Sequence, residues 1–113
     1  EAGASYARTL TCWCDTGDRM VAAGVVPGPT AMKIDVEGSE LEVLRGCANI
    51  LRSPGLRALV FEAPLDFLDP AVQHPVRELL EASGFSRISR LERREPTEHR
   101  LANYLALRAT ANQ

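Results

Sequence analysis

A chain of 113 residues has room for one small domain, and with 45% hydrophobic and 25% charged residues its composition is that of a folded globular protein, not a disordered one. A formal net charge of −2 argues against non-specific nucleic-acid binding, and 5% aromatic residues against a stacking platform for single strands. No apolar run approaches the roughly 20 residues of a membrane span, and no basic segment followed by an apolar one marks a signal peptide. Three cysteines are an odd number that suggests no disulfide framework, so a cytoplasmic, reducing setting is expected.

In chain order, Arg8–Cys14 alternates Thr9, Thr11 and Trp13 with Leu10, Cys12 and Cys14, a period-2 pattern that predicts a lead-in strand. Asp15-Thr16-Gly17-Asp18 reads as a turn and Arg19–Gly24 as a short helix stopped by Gly24, followed by a loop at Pro27-Gly28-Pro29. Ala31–Val36 is short, mostly apolar and bounded by turns, as a buried parallel strand is. Ser39-x-x-Glu42 has the form of a capping box. It opens an amphipathic helix with Leu41, Leu44, Ala48 and Leu51 on one stripe, widened by Val43, Cys47 and Ile50, and with Glu40, Glu42, Arg45, Asn49 and Arg52 turned away. Ser53-Pro54-Gly55 ends it.

Leu56–Ala63 is a second apolar strand, closing near Glu62, and Pro64 to Pro70 a loop. A helix begins at Pro75, a residue suited to a first turn, and ends at Gly84, placed for a left-handed cap. Phe85–Leu91 and Asn103–Ala109 read as two strands of a hairpin joined by the charged loop Glu92–Arg100. Strands alternating with helices predict an α/β fold with a parallel sheet, and the last two strands add an antiparallel edge.

Ligands of open α/β sheets sit beyond the carboxyl ends of the strands. Asp35 and Glu37 follow the first of the parallel strands and Glu62 closes the second, so neighbouring strands would bring three carboxylates to one crevice. The alternatives are that Glu37 favours the following helix N-terminus through its dipole and that Glu62 pairs with a Lys or Arg.

The run from Lys33 to Gly46 reads K-I-D-V-E-G-S-E-L-E-V-L-R-G. It closely resembles the hallmark of the FkbM-type methyltransferase family, a K-I-D-V-E-G-x-E stretch followed by a helix of the form L-x-V-L-x-G. Thr16-Gly17-Asp18-Arg19-Met20 resembles that family's acid-containing segment upstream, and Leu59-Val60-Phe61-Glu62 its next strand, which also ends in Glu. Glu78-Leu79-Leu80 and Gly84-Phe85 resemble its helix end, with Phe where Tyr is common.

The resemblance implies a class I, Rossmann-like enzyme that uses S-adenosylmethionine to methylate hydroxyl groups of small molecules or sugars. It implies that residues 1–113 are the carboxy-terminal half of such a domain, from just before its fourth strand to its seventh, with 1–30 a lead-in strand and loop and 31–113 the core. It implies Asp35 as the base or acceptor-orienting residue, Glu37 second to it, and Glu62 on the acceptor side or holding the loop. Asp18 resembles the acid that meets the adenine amino group. The Gly-rich donor turn of such enzymes and the acid after their second strand have no counterpart here, so the chain reads as a fragment expected to be inactive alone.

Two other readings stand beside this one. The first is a magnesium-dependent hydrolase or phosphotransferase using Asp35, Glu37 and Glu62, which lacks a phosphate-cradling loop. The second is a non-catalytic remnant that associates with itself through an exposed sheet edge. The expected partner is a small-molecule acceptor, with neither nucleic acid nor membrane and no metal ligand set. Cys12, Cys14 and Cys47 read as small buried residues, Trp13 as packing, His74 as a helix-start residue and His99 as solvated.

Overall fold

The computed structural model describes residues 7–91 and 100–109. In chain order the elements are α1 (Gly17–Ala22), β1 (Ala31–Ile34), α2 (Glu40–Arg45), α3 (Ala48–Arg52), β2 (Ala58–Pro64), α4 (Pro75–Ala82), β3 (Arg87–Arg90) and β4 (Leu101–Leu107). The four strands form one sheet in the order β1-β2-β4-β3. β1 and β2 pair in parallel, with Ala31 opposite Ala58 and Ile34 opposite Phe61. β4 runs antiparallel to both neighbours, pairing Phe61 with Tyr104 on one side and Arg90 with Tyr104 on the other. The expected mixed α/β sheet with a final antiparallel hairpin is therefore present, and its last strand lies inside the sheet instead of at the edge.

Alternation along the strands makes the core. Leu59, Phe61 and Ala63 of β2 and Ala102, Tyr104 and Ala106 of β4 are buried against Leu44, Leu51, Leu80 and Phe85 from the helical side. Burying each of the larger side chains contributes about 1.5–3 kcal/mol. Their neighbours Val60, Glu62, Asn103 and Leu105 are half-buried on the opposite face. The Tyr104 hydroxyl donates to the Pro64 carbonyl oxygen at 2.7 Å, which locks the register of β4 against the end of β2.

Several elements depart from the sequence expectations. Arg8–Cys14 is not a strand: it carries no ladder bonds and is exposed, with Trp13 91% and Leu10 71% accessible. Period-2 alternation makes a strand only where a neighbour accepts its backbone, and no strand among the described residues lies outside β1. Cys12 and Cys14 are exposed thiols, not buried ones, whereas Cys47 is buried as expected. Asp15–Asp18 is not a separate turn. Thr16 caps α1 by accepting from the Arg19 N–H at 3.1 Å, and Gly17 and Asp18 form the first helical turn.

The capping box does not form. Ser39 stands at the N-cap of α2 with φ −115° and ψ 20°, and its side chain makes no capping bond. Capping needs an extended backbone at that residue, and the turn before it prevents this. The single helix expected after Ser39 is two helices, because the chain breaks at Gly46-Cys47. The Gly46 carbonyl accepts from the Asp18 N–H at 3.0 Å instead of continuing the helix.

β2 begins at Ala58 and continues past Glu62 to Pro64, and β4 begins at Leu101. α4 starts at Pro75 as expected, and Gly84 follows its cap with φ 102°, a conformation that only glycine adopts without strain. His99 and most of the loop Glu92–Arg100 lie outside the described residues. Among the described residues no helix is long and apolar enough to cross a membrane.

Candidate functional site

Beyond the carboxyl ends of β1 and β2 lies an open cleft of about 560 Å³. Val36-Glu37-Gly38-Ser39 leads from β1 into α2 as a tight turn, closed by the Ser39 N–H donating to the Val36 carbonyl at 3.2 Å. Gly38 has φ 84° and occupies the third turn position, where a positive φ is required. The turn leaves Glu37 exposed at the cleft. Glu62 enters from β2 and Glu40 from the first turn of α2, while Pro64 and Leu101, paired across β2 and β4, form the opposite wall.

Two of the three carboxylates named from the sequence thus share one cleft. Asp35 is exposed at the end of β1 and is not among the residues lining it. Glu40 was assigned to the solvent face of the helix and lines the cleft instead. The sequence did carry a signal for it, since Glu40 is the last acid of the K-I-D-V-E-G-x-E stretch.

The cleft continues into a smaller recess of about 100 Å³ lined by Glu40, Glu62, Phe67, His74 and Pro75. Phe67 and His74 of its wall belong to an aromatic cluster. The Phe67 ring lies 5.2 Å from that of Phe61 edge-on, 5.1 Å from Tyr104 and 5.4 Å from the His74 imidazole. His74 Nε2 is 3.1 Å from Asp66 Oδ1. The loop carrying this pair is pinned to α4 by Arg77, whose guanidinium donates to the carbonyls of Phe67 (2.7 Å), Asp69 (2.9 Å) and Val72. The His74–Asp66 pair spans a loop, and no sequence periodicity signals it.

Asp18 lies apart from this cleft. Its carboxylate accepts from the backbone N–H groups of Asn49 at 2.8 Å and Ile50 at 3.0 Å, satisfying donors at the start of α3 that Cys47 leaves uncapped. The nearby Cys47 thiol is pushed above its ordinary value of 9.0, first by burial and then by the Asp18 charge, with a backbone hydrogen bond from Gly17 opposing both. Among the described residues no group of three or more His, Cys, Asp or Glu side chains is placed to hold a metal ion.

No protein-family model matches the chain, and no solved structure matches it. The hexuronic acid methyltransferase AglP of Haloferax volcanii is 41% identical to it over 88 residues. That match takes in 77% of this chain and 34% of AglP, so the chain spans about a third of the length of this relative. Over most of its length, the chain is similar to part of a methyltransferase.

Proposed function

We propose that this chain is the acceptor-side part of an S-adenosylmethionine-dependent methyltransferase of FkbM type that methylates a hydroxyl group of a sugar or other small molecule. The observation that carries this reading is the 41% identity over 88 residues to a methyltransferase named for hexuronic acid. The cleft beyond β1 and β2 supports it, since Glu37, Glu40 and Glu62 form a hydrogen-bond-accepting wall suited to sugar hydroxyls and to the cationic end of the donor.

When bound, the donor supplies an activated methyl group on a sulfonium, so the protein's task is chiefly positioning. Glu37 and Glu62 accept hydrogen bonds from acceptor hydroxyls and fix the orientation of the reacting oxygen. Glu37 takes precedence over Asp35 because it lines the cleft. Asp35 lies exposed at the carboxyl end of β1, outside that lining. Asp18 is engaged by α3, and an adenine amino group would have to share its oxygens.

The test is transfer of labelled methyl from S-adenosylmethionine to glucuronic acid and to neutral hexoses by the polypeptide as it occurs in its source cell. Glu37→Gln and Glu62→Gln should each lower kcat/KM by about 10-fold to 100-fold, the effect of losing one or two orienting hydrogen bonds. Asp35→Ala should cost less. Unchanged turnover in both glutamine variants would remove the cleft from the mechanism.

A second reading is favoured by one observation, the outer edge of β1, which has no strand partner among the described residues. A non-catalytic chain would use that edge to associate with a second copy.

A further inference from the structure

We infer that His74, held by Asp66, is the residue that takes the proton from the acceptor hydroxyl; this rests on the methyl-transfer reading above. His74 occupies the N-cap position of α4, yet its ring makes no capping bond. The side chain, 17% exposed, is instead directed to the Asp66 carboxylate, 3.1 Å from Nε2, and lies against the Phe67 ring. Pro75 follows it and holds its backbone extended at φ −126° and ψ 119°. Three backbone carbonyls tied to Arg77 fix the loop that carries Asp66. A ring held by backbone, neighbour and carboxylate in this way is ordered before any ligand arrives.

Its position adds the chemistry. The recess that His74 lines shares Glu40, Glu62, Ala63 and Pro64 with the main cleft, so a sugar ring seated against the glutamates has the imidazole at its side. The charged groups facing the imidazole are Asp66 from the loop, Glu40 from α2 and Glu62 from β2, while Arg77 of α4 is turned to the loop carbonyls. An Asp66 carboxylate at Nε2 favours the tautomer with the proton on that nitrogen and leaves Nδ1 as the acceptor. Imidazole is the side chain most often used to take a proton in general base catalysis.

In the step, the acceptor O–H bond breaks and its proton passes to Nδ1. The oxygen's electron pair forms the bond to the methyl carbon, and the carbon–sulfur pair leaves on sulfur, which becomes a neutral thioether. The positive charge of the donor ends on the imidazolium, where Asp66 stabilises it. Glu37 and Glu62 orient the hydroxyls and take no proton.

The test uses the native polypeptide and the labelled-methyl assay with glucuronic acid and neutral hexoses as probes. His74→Gln keeps a polar side chain beside Asp66 and should lower kcat by about 100-fold or more with KM little changed, the range for loss of a general base. It should also abolish the fall in rate toward acid pH that the wild type should show if His74 is the base. Asp66→Asn should lower kcat less, and imidazole nitrogen NMR should show His74 losing its fixed tautomer. Wild-type kcat with the acid limb intact in His74→Gln would overturn the assignment, as would a loss confined to KM or an unfixed tautomer in the wild type. Failure of the wild type itself to transfer methyl to any probe would overturn the methyl-transfer reading, a result visible without any variant.

Discussion

Replacing Asp18 by alanine strips two acceptors from the start of α3. The two N–H groups it serves differ in setting: that of Asn49 is exposed and that of Ile50 is half-buried, with the Ile50 side chain in the core. Water replaces the carboxylate at Asn49, so that loss is about 0.5 kcal/mol. At Ile50 a donor is left without a partner in a poorly hydrated position, at about 1–2 kcal/mol. Removing a negative charge from a helix N-terminus adds about 0.3–1 kcal/mol. Together these give about 2–3.5 kcal/mol. Asp18→Asn retains one carbonyl oxygen for the Ile50 N–H and should lose about half as much. Urea unfolding followed by far-UV circular dichroism measures both, and hydrogen exchange at the Asn49 and Ile50 amides, accelerated in the alanine variant, localises the effect. A loss below about 0.5 kcal/mol, the range of an ordinary surface substitution, would refute the view that this carboxylate joins α1 to α3.

Arg108 donates to the carbonyls of Leu56 at 2.7 Å, Ser83 at 2.9 Å and Leu51, with its guanidinium 4.4 Å from the centre of the Phe85 ring. Arg108→Ala should therefore destabilise by about 3 kcal/mol or more in the same unfolding assay, and Arg108→Lys should recover less than half, since an ammonium cannot reproduce the planar fork. Maleimide labelling followed by mass spectrometry should modify Cys12 and Cys14 quickly and Cys47 slowly; equal rates would contradict its burial and raised pKa. Because the folded state holds the Cys47 proton more tightly than the unfolded state does, the associated stability is present below about pH 9 and lost as pH rises through the folded value; Cys47→Ala should flatten that alkaline loss. If the β1 edge is open in solution, sedimentation should show concentration-dependent association, and a single monomeric boundary at all concentrations would argue that the edge is covered.

The legible parts of this fold are those whose cause is local. Ala31–Ile34 and Ala58–Pro64 are apolar runs between turns, Pro75 starts a helix by its fixed φ, and Gly84 ends one by its freedom. The misread parts depend on residues distant in sequence. Arg8–Cys14 alternates as a strand does but has no neighbour to pair with. Ser39 and Glu42 have the right spacing for a capping box, but the turn at Gly38 gives Ser39 the wrong backbone. The break at Gly46 is compensated by Asp18, about thirty residues upstream of the amides it serves. The convergence of Glu37 and Glu62 at one cleft was legible because acids following neighbouring parallel strands meet at one end of the pair, although β1 is an edge strand with only Ile34 buried and not the buried strand expected. The His74–Asp66 pair beside that cleft was not legible, since Asp66 lies across an irregular loop.

The sheet itself explains why the site is where it is. β2 pairs in parallel with β1 on one side and antiparallel with β4 on the other. The carboxyl ends of β1 and β2 therefore coincide with the amino end of β4, and Leu101 meets Pro64 at that edge. β1 stops at Ile34, while β2 runs on to Pro64 along the antiparallel side. The ragged edge leaves a notch at the end of the shorter strand, lined by the Glu37-Gly38 turn on the β1 side and by Glu62 and Ala63 of β2. Extending the β1 ladder by even two residues would fill the notch with backbone. The short strand and the abrupt glycine turn are thus the features that create the cleft, which Glu37, Glu40 and Glu62 line.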